Sequence, residues 1–201
     1  MSKLDSELQK CLFQLSGDIR FIKNEFLTTI YMESDMDELL YNKPYRQRKA
    51  LAEKALCDKD FQKYVYLHER PFRLQALVEV LYDIKKEELF DLVEWVWIDS
   101  EDPCVNLEVW KLIFQYCDSL GVLDASKNGL PNEITIYRGT RKGIKDKGIS
   151  WTLDRNVAKK FSERFFTKKT TNEPLVKKKV VKKSDIWFYT DGRGEKEIVL
   201  K

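Results

Sequence analysis

Histidine occurs once in the 201 residues, at position 68, and cysteine four times, at positions 11, 57, 104 and 117. The cysteines lie 46, 47 and 13 positions apart, which fits neither a Cys-x-x-Cys pair nor a disulfide-rich miniprotein. Free thiols in a reducing cytoplasm are expected. A single histidine with no close Cys/His set leaves nothing for a structural zinc site. A Ser-His-Asp triad would need His68 as its base, and nothing near His68 resembles a nucleophile turn. Long apolar runs are also missing. The most apolar window, 89–98, already holds Asp91 and Glu94, whereas a membrane span needs roughly 18 or more residues nearly free of charge. The opening residues, MSKLDSE, have no apolar segment of the secretory kind, so the chain is expected to remain in the cytoplasm.

What is present describes a globular protein. Hydrophobic residues make up 43%, aromatics 12% and charged residues 34%, which excludes a disordered, collagen-like or coiled-coil chain and allows one generous domain or two small ones. The net charge of +3 conceals a division. Residues 1–130 carry 17 Lys/Arg against 24 Asp/Glu, a net of −7, and residues 131–201 carry 19 against 9, a net of +10. Either the basic half faces something anionic, such as nucleotide phosphates, nucleic acid or an acidic protein, or two oppositely charged layers pack together.

Hydrophobic spacing predicts helices over most of the first two thirds. Leu4, Leu8, Cys11, Leu12 and Leu15 keep helical spacing as far as Gly17, and Ile19, Ile22, Phe26 and Ile30 begin a second stripe. Helices are expected over 45–57 and 58–68, and Leu74, Leu77, Val78, Leu81 and Ile84 form the clearest stripe. Leu89, Leu92, Val93 and Val96 continue it after a break. Trp110, Ile113, Phe114 and Cys117 mark a last helix closing near Gly121. These stripes read as core without visible chemistry.

Near Gly129 the texture changes. Ile134-Thr135-Ile136-Tyr137 predicts a strand that ends in a turn at Arg138-Gly139, and a Gly-punctuated loop then leads to a short strand over 149–152. Asp154 has the place of an N-cap for a helix with Val157, Ala158, Phe161 and Phe165 on one face. Strands are expected over 175–183 and 197–200. The division falls in the Gly/Pro/Asn cluster between 121 and 131, giving an acidic all-helical region over 1–128 and a basic domain over 129–201.

Three fragments of the basic part carry the chemistry in combination: Tyr137-Arg138-Gly139; Gly148-Ile149-Ser150-Trp151-Thr152 followed by Val157-Ala158-x-x-Phe161; and Glu195-Lys196-Glu197-Ile198-Val199-Leu200. In this order they resemble the Arg-Ser-Glu class of ADP-ribosyltransferases, the group of clostridial binary toxins and several phage-encoded enzymes. That class carries an arginine on a first strand, a Ser-Thr-Ser strand followed by a helix with the Val-Ala-x-x-Phe pattern, and a Glu-x-Glu at a late strand. The resemblance covers residues 131–201. It departs from the pattern at Trp151 and Thr152, and the chain here runs only four residues past Glu197.

The resemblance implies an α+β protein, a helical N-terminal part followed by a compact mixed β-sheet of the ADP-ribosyltransferase fold. It implies mono-ADP-ribosylation of a protein, on arginine, with NAD as substrate and no metal. Cleavage of the nicotinamide–ribose bond passes through an oxocarbenium-like state, which a carboxylate stabilises. By motif position Glu197 takes that part, Ser150 holds its rotamer, and Arg138 with Gly139 meets a phosphate of NAD in the bidentate manner that arginine provides. Glu195, placed on the same side by the period-two alternation of a strand, would orient and deprotonate the acceptor. NAD glycohydrolysis, and a silent interaction or virion-associated protein that keeps the fold, are the rival readings.

Three further features stay open. Ile186-Trp187-Phe188-Tyr189 is either a substrate-recognition loop, as in the class, or a buried strand. Phe165 or Phe166 either stacks on nicotinamide or belongs to a helix core. Lys177, Lys178, Lys179, Lys182 and Lys183 either defend a sheet edge or meet an acidic target or nucleic acid.

Overall fold

A computed structural model describes residues 3–145, 148–164 and 172–201. The chain divides into two compact units, Met1–Ile84 and Lys85–Lys201.

The first unit opens with α1 (Ser6–Lys10), capped by Asp5, whose side chain accepts from the Glu7 N–H. Three strands follow where helix was expected: β1 (Leu12–Ser16), β2 (Ile19–Asn24) and β3 (Leu27–Tyr31), an antiparallel meander in that order. The all-helical reading of residues 1–128 is therefore corrected, and the reason lies in the arithmetic of spacing. An i,i+4 step is also an even number of residues, so Leu4/Leu8/Leu12 and Ile22/Phe26/Ile30 satisfy a strand's period of two as well as a helix's period of 3.6. Gly17, in the left-handed region at φ 54°, reverses the chain between β1 and β2. α2 (Lys43–Cys57), α3 (Phe61–Leu67) and α4 (Arg73–Val80) come next, and Asp60 caps α3 by accepting from the Lys63 N–H. His68 is buried: its Nδ1 lies 2.8 Å from the Tyr64 carbonyl oxygen, and its ring packs on Phe26 and Tyr64. It fills core.

The second unit begins forty-odd residues before the expected division at 128/129, so two helices join the C-terminal sheet in one compact body. These are α5 (Lys86–Asp99) and α6 (Leu107–Ser119). The sheet comprises β4 (Glu133–Arg141), β5 (Ser150–Thr152), β6 (Pro174–Lys182), β7 (Ile186–Thr190) and β8 (Glu197–Leu200), in the order β6-β4-β5-β8-β7. The α+β class expected from the sequence holds. The sheet expected to be mixed is antiparallel in all four of its pairings.

Burial on both faces of the sheet explains why those helices belong to it. One face carries Ile134, Ile136, Val181, Ile186, Ile198 and Leu200 as a single aliphatic cluster. In an aromatic group, Trp97 of α5 and Phe114 of α6 meet the ring of Phe188 on β7 at 6.2 and 5.2 Å, and Trp110 of α6 packs on both helical rings. The stripes on α5 and α6 thus find their apolar partner in the sheet.

α7 (Arg155–Glu163) starts at Asp154, whose side chain accepts from the Asn156 N–H at 2.7 Å, as the N-cap reading anticipated. It packs closely on β4 at Gly139, where a Cβ would overlap the backbone of Ala158 and Ser162. β4 does not turn at Arg138-Gly139 as expected but continues to Arg141, because its full length pairs with β6 from Glu133↔Lys182 to Arg141↔Pro174. Among the described residues no helix is long and apolar enough to cross a membrane.

Candidate active site

All five residues singled out from the sequence line one cleft of about 290 Å³ in the second unit: Arg138, Gly139, Ser150, Glu195 and Glu197. The cleft runs between the C-terminal end of α5, the adjoining ends of β4, β5 and β8, and the face of α7 that bears Val157, Ala158 and Phe161.

Glu197 is the first residue of β8 and is only 5% exposed. Its Oε1 accepts from the Ser150 hydroxyl at 2.5 Å and from the Trp97 indole Nε1–H at 3.1 Å. Burial pushes its carboxyl above the usual carboxylate range, opposed by the donors on Ser150 and Trp97 and the nearby Arg193 guanidinium. Ser150 sits opposite Val199 and Thr152 opposite Glu197 in the β5–β8 register, so the hydroxyl that reaches Glu197 comes from the paired strand. The Ser150 carbonyl meanwhile accepts from the Arg138 guanidinium on β4. One serine therefore ties the arginine to the glutamate, through its carbonyl on one side and its hydroxyl on the other. Gly148 lets the guanidinium lie against the backbone, since a Cβ there would collide with it.

Glu195 reaches the cleft by a different route from the expected one. β8 begins only at Glu197, and Lys196 adopts a left-handed conformation at φ 48°, so strand alternation does not place Glu195. A tight turn does. The Asp191 side chain accepts from the Lys196 N–H at 2.9 Å, the Asp191 carbonyl accepts from the Gly194 N–H at 2.9 Å, and the Thr152 hydroxyl donates to the Glu195 carbonyl at 2.6 Å. Thr152, third in the strand where the related pattern has serine, also accepts from the Asp154 N–H and so couples this turn to the start of α7.

Two residues that meet Glu197, Trp97 and Arg193, are not among those the sequence singles out. Trp97 lay within a stripe assigned to the core, one hundred positions from the glutamate it bonds, and nothing local marks it. Arg193 did carry a signal, standing in the turn two residues before Glu195. Its Nη2 lies 3.1 Å from Glu195 Oε2 and 3.7 Å from Glu197 Oε2, and its Nη1 donates to the Ile98 carbonyl at 3.0 Å. Phe161, expected on one helix face with Val157 and Ala158, is 41% exposed and lines the cleft, while the small residues Ala158 and Ser162 are the buried ones of α7.

The remaining expectations fall elsewhere. Ile186-Trp187-Phe188-Tyr189 is strand β7, with Trp187 and Phe188 buried, so the reading of it as a target-contacting loop is corrected; residues 191–196 form the loop beside the cleft. Lys177, Lys178, Lys179 and Lys182 lie on β6 at the sheet edge with Lys183 just beyond it, and none of the five lines the cleft. Phe165 and Phe166 lie outside the described residues.

No family model, curated protein or solved structure matches the chain.

Proposed function

We propose that this protein is a mono-ADP-ribosyltransferase that moves ADP-ribose from NAD to an arginine of a protein acceptor, acting in the cytoplasm. The observation that carries the reading is the triple link at the cleft: Arg138, Ser150 and Glu197 are joined through the two oxygens of one serine, with a second carboxylate, Glu195, beside them. Guanidinium groups and the rings of Trp97, Tyr137, Trp151 and Phe161 line the same cleft, which suits a ligand built of phosphates, sugars and flat bases. At about 290 Å³ the cleft is near the low end of ligand sites, commonly roughly 300–1,000 Å³.

Each side chain then has a task. Glu197, held by Ser150 and Trp97 at one oxygen, places negative charge where the ribose becomes cationic. Arg138 supplies a forked donor for a phosphate. Glu195 orients an incoming guanidinium by ion pairing and receives its proton. Because burial raises the pKa of Glu197, activity should fall on the acid side at a pH above the ordinary carboxylate range.

Incubation with NAD labelled in its adenylate part, together with candidate acceptor proteins, tests the reading. Label on arginine and release of nicotinamide are expected, and Glu195→Gln should abolish labelling while nicotinamide release continues. Nicotinamide release by the wild-type protein with no label on any protein would favour glycohydrolysis, a second reading supported by the ion pair that Arg193 already makes with Glu195. Absence of both would remove the enzyme reading.

A further inference from the structure

Arg193 stands where the acceptor is expected. Its Nη2 is 3.1 Å from the carboxylate assigned to the acceptor, Glu195, and 3.7 Å from the carboxylate assigned to the ribose, Glu197. Resting on the transferase reading, we propose that Arg193 is the protein's own acceptor, so that the enzyme ADP-ribosylates itself at this guanidinium.

The local structure favours that role over a passive counter-charge. Residues 191–196 form a turn closed at both ends on Asp191, and Arg193 projects from it. Gly192 lets the turn press against α5, for a Cβ there would strike the Ile98 side chain. Nη1 is anchored on the Ile98 carbonyl, which directs Nη2 at the two carboxylates. With 42% of its side chain exposed, the guanidinium faces the open cleft and not a closed core. Tethering gives such a group an effective concentration that a free acceptor cannot match.

The reaction balances without an added oxidant or reductant. The bond between the ribose anomeric carbon and the pyridinium nitrogen breaks, its electron pair leaves with nicotinamide, and nicotinamide departs neutral. A guanidinium nitrogen of Arg193 supplies the pair for the new N–C bond, and its proton passes to the Glu195 carboxylate and on to solvent.

The test is incubation of the full-length protein with NAD, followed by peptide mapping by mass spectrometry and a parallel assay of free nicotinamide. One ADP-ribosyl group on Arg193 is expected. The first-order rate should be unchanged when the protein is diluted, and no label should appear in trans on added Glu197→Gln protein, which retains Arg193. Agmatine, a small guanidine, should lower the label on Arg193 while being labelled itself, and Arg193→Lys should remove the label from that position. Nicotinamide release with Arg193 unmodified, or a rate that falls with dilution, overturns the inference and leaves the transferase reading standing. No nicotinamide release and no label overturn both.

Discussion

Among the described residues, two antiparallel sheets bury polar groups in opposite ways. In the β1–β3 meander only Ile22 and Tyr31 are buried among the strand residues, and Phe13, Leu15, Ile19 and Ile30 are exposed. Its buried polar contact is local: the Tyr31 hydroxyl donates to Asp37 at 2.8 Å, six positions away, and burial helps push the tyrosine up to about 12, so that it stays neutral. In the five-stranded sheet all four residues of β8 are buried, Glu197 included. The donors to Glu197 come from 47 and 100 positions away. A short, one-sided sheet meets its polar needs from neighbours in sequence, whereas a sheet covered on both faces can hold a buried carboxylate only by drawing donors from distant segments.

Neutralising the two acids in turn should break this contrast most sharply. Glu197→Gln keeps the shape of the side chain but removes the charge, so nicotinamide release should fall by about a hundredfold or more, equivalent to about 2.7 kcal/mol of transition-state stabilisation. Asp37→Asn should leave the rate unchanged. Thermal melting of the same Glu197→Gln protein gives a second reading. A carboxyl whose folded pKa is raised is stabilising in its neutral form, so the wild type loses stability as pH rises through that pKa. The variant does not titrate, and it should melt above the wild type at neutral pH, with the gap closing as the solution is acidified below the unfolded carboxylate range.

The next effect concerns the contact that sets α7 over the sheet. A Cβ at Gly139 meets the backbone of Ala158 and Ser162, which cannot rotate aside, so Gly139→Ala should cost about 1–3 kcal/mol, read as a lower urea midpoint. A smaller change is expected at Trp97. Trp97→Phe keeps a ring against Phe114 and Phe188 but leaves Glu197 with one donor fewer. Turnover should drop about tenfold or somewhat more, toward the lower end of the roughly 1.5–3 kcal/mol of a hydrogen bond to a charged group. Because that donor lowers the pKa of Glu197, the acid limb of the pH profile should move to higher pH, a shift that a purely structural tryptophan would not produce. At the small end, Leu15→Ser on the exposed face of β1 should change stability by no more than about 0.5 kcal/mol in chemical denaturation.

The sequence was most legible where residues act on their immediate neighbours. The cap at Asp154, the helix over 45–57, the strands ending the chain and the conjunction of Arg138, Ser150 and Glu197 all rest on short spacings or ordered motifs. It misled where two periods coincide. Apolar residues four apart in 4–30 fitted a helix and a strand equally, and the left-handed glycine at position 17 decided for the hairpin. The turn reading at Arg138-Gly139 failed for a related reason, since pairing with β6 carried the strand through it.

By itself the sequence determined which side chains were available for chemistry: one histidine committed to no motif, an arginine, a serine and two glutamates in a telling order, and a basic final third. Tertiary structure alone decided how they are held. The indole of Trp97 meets Glu197 because α5 packs its aromatic stripe on β7, and Glu195 reaches the cleft because a turn, not a strand, delivers it. Periodicity reports which face of an element is apolar, but a buried charge is satisfied by whichever segments the packing of those faces brings together, and that pairing is a property of the folded chain.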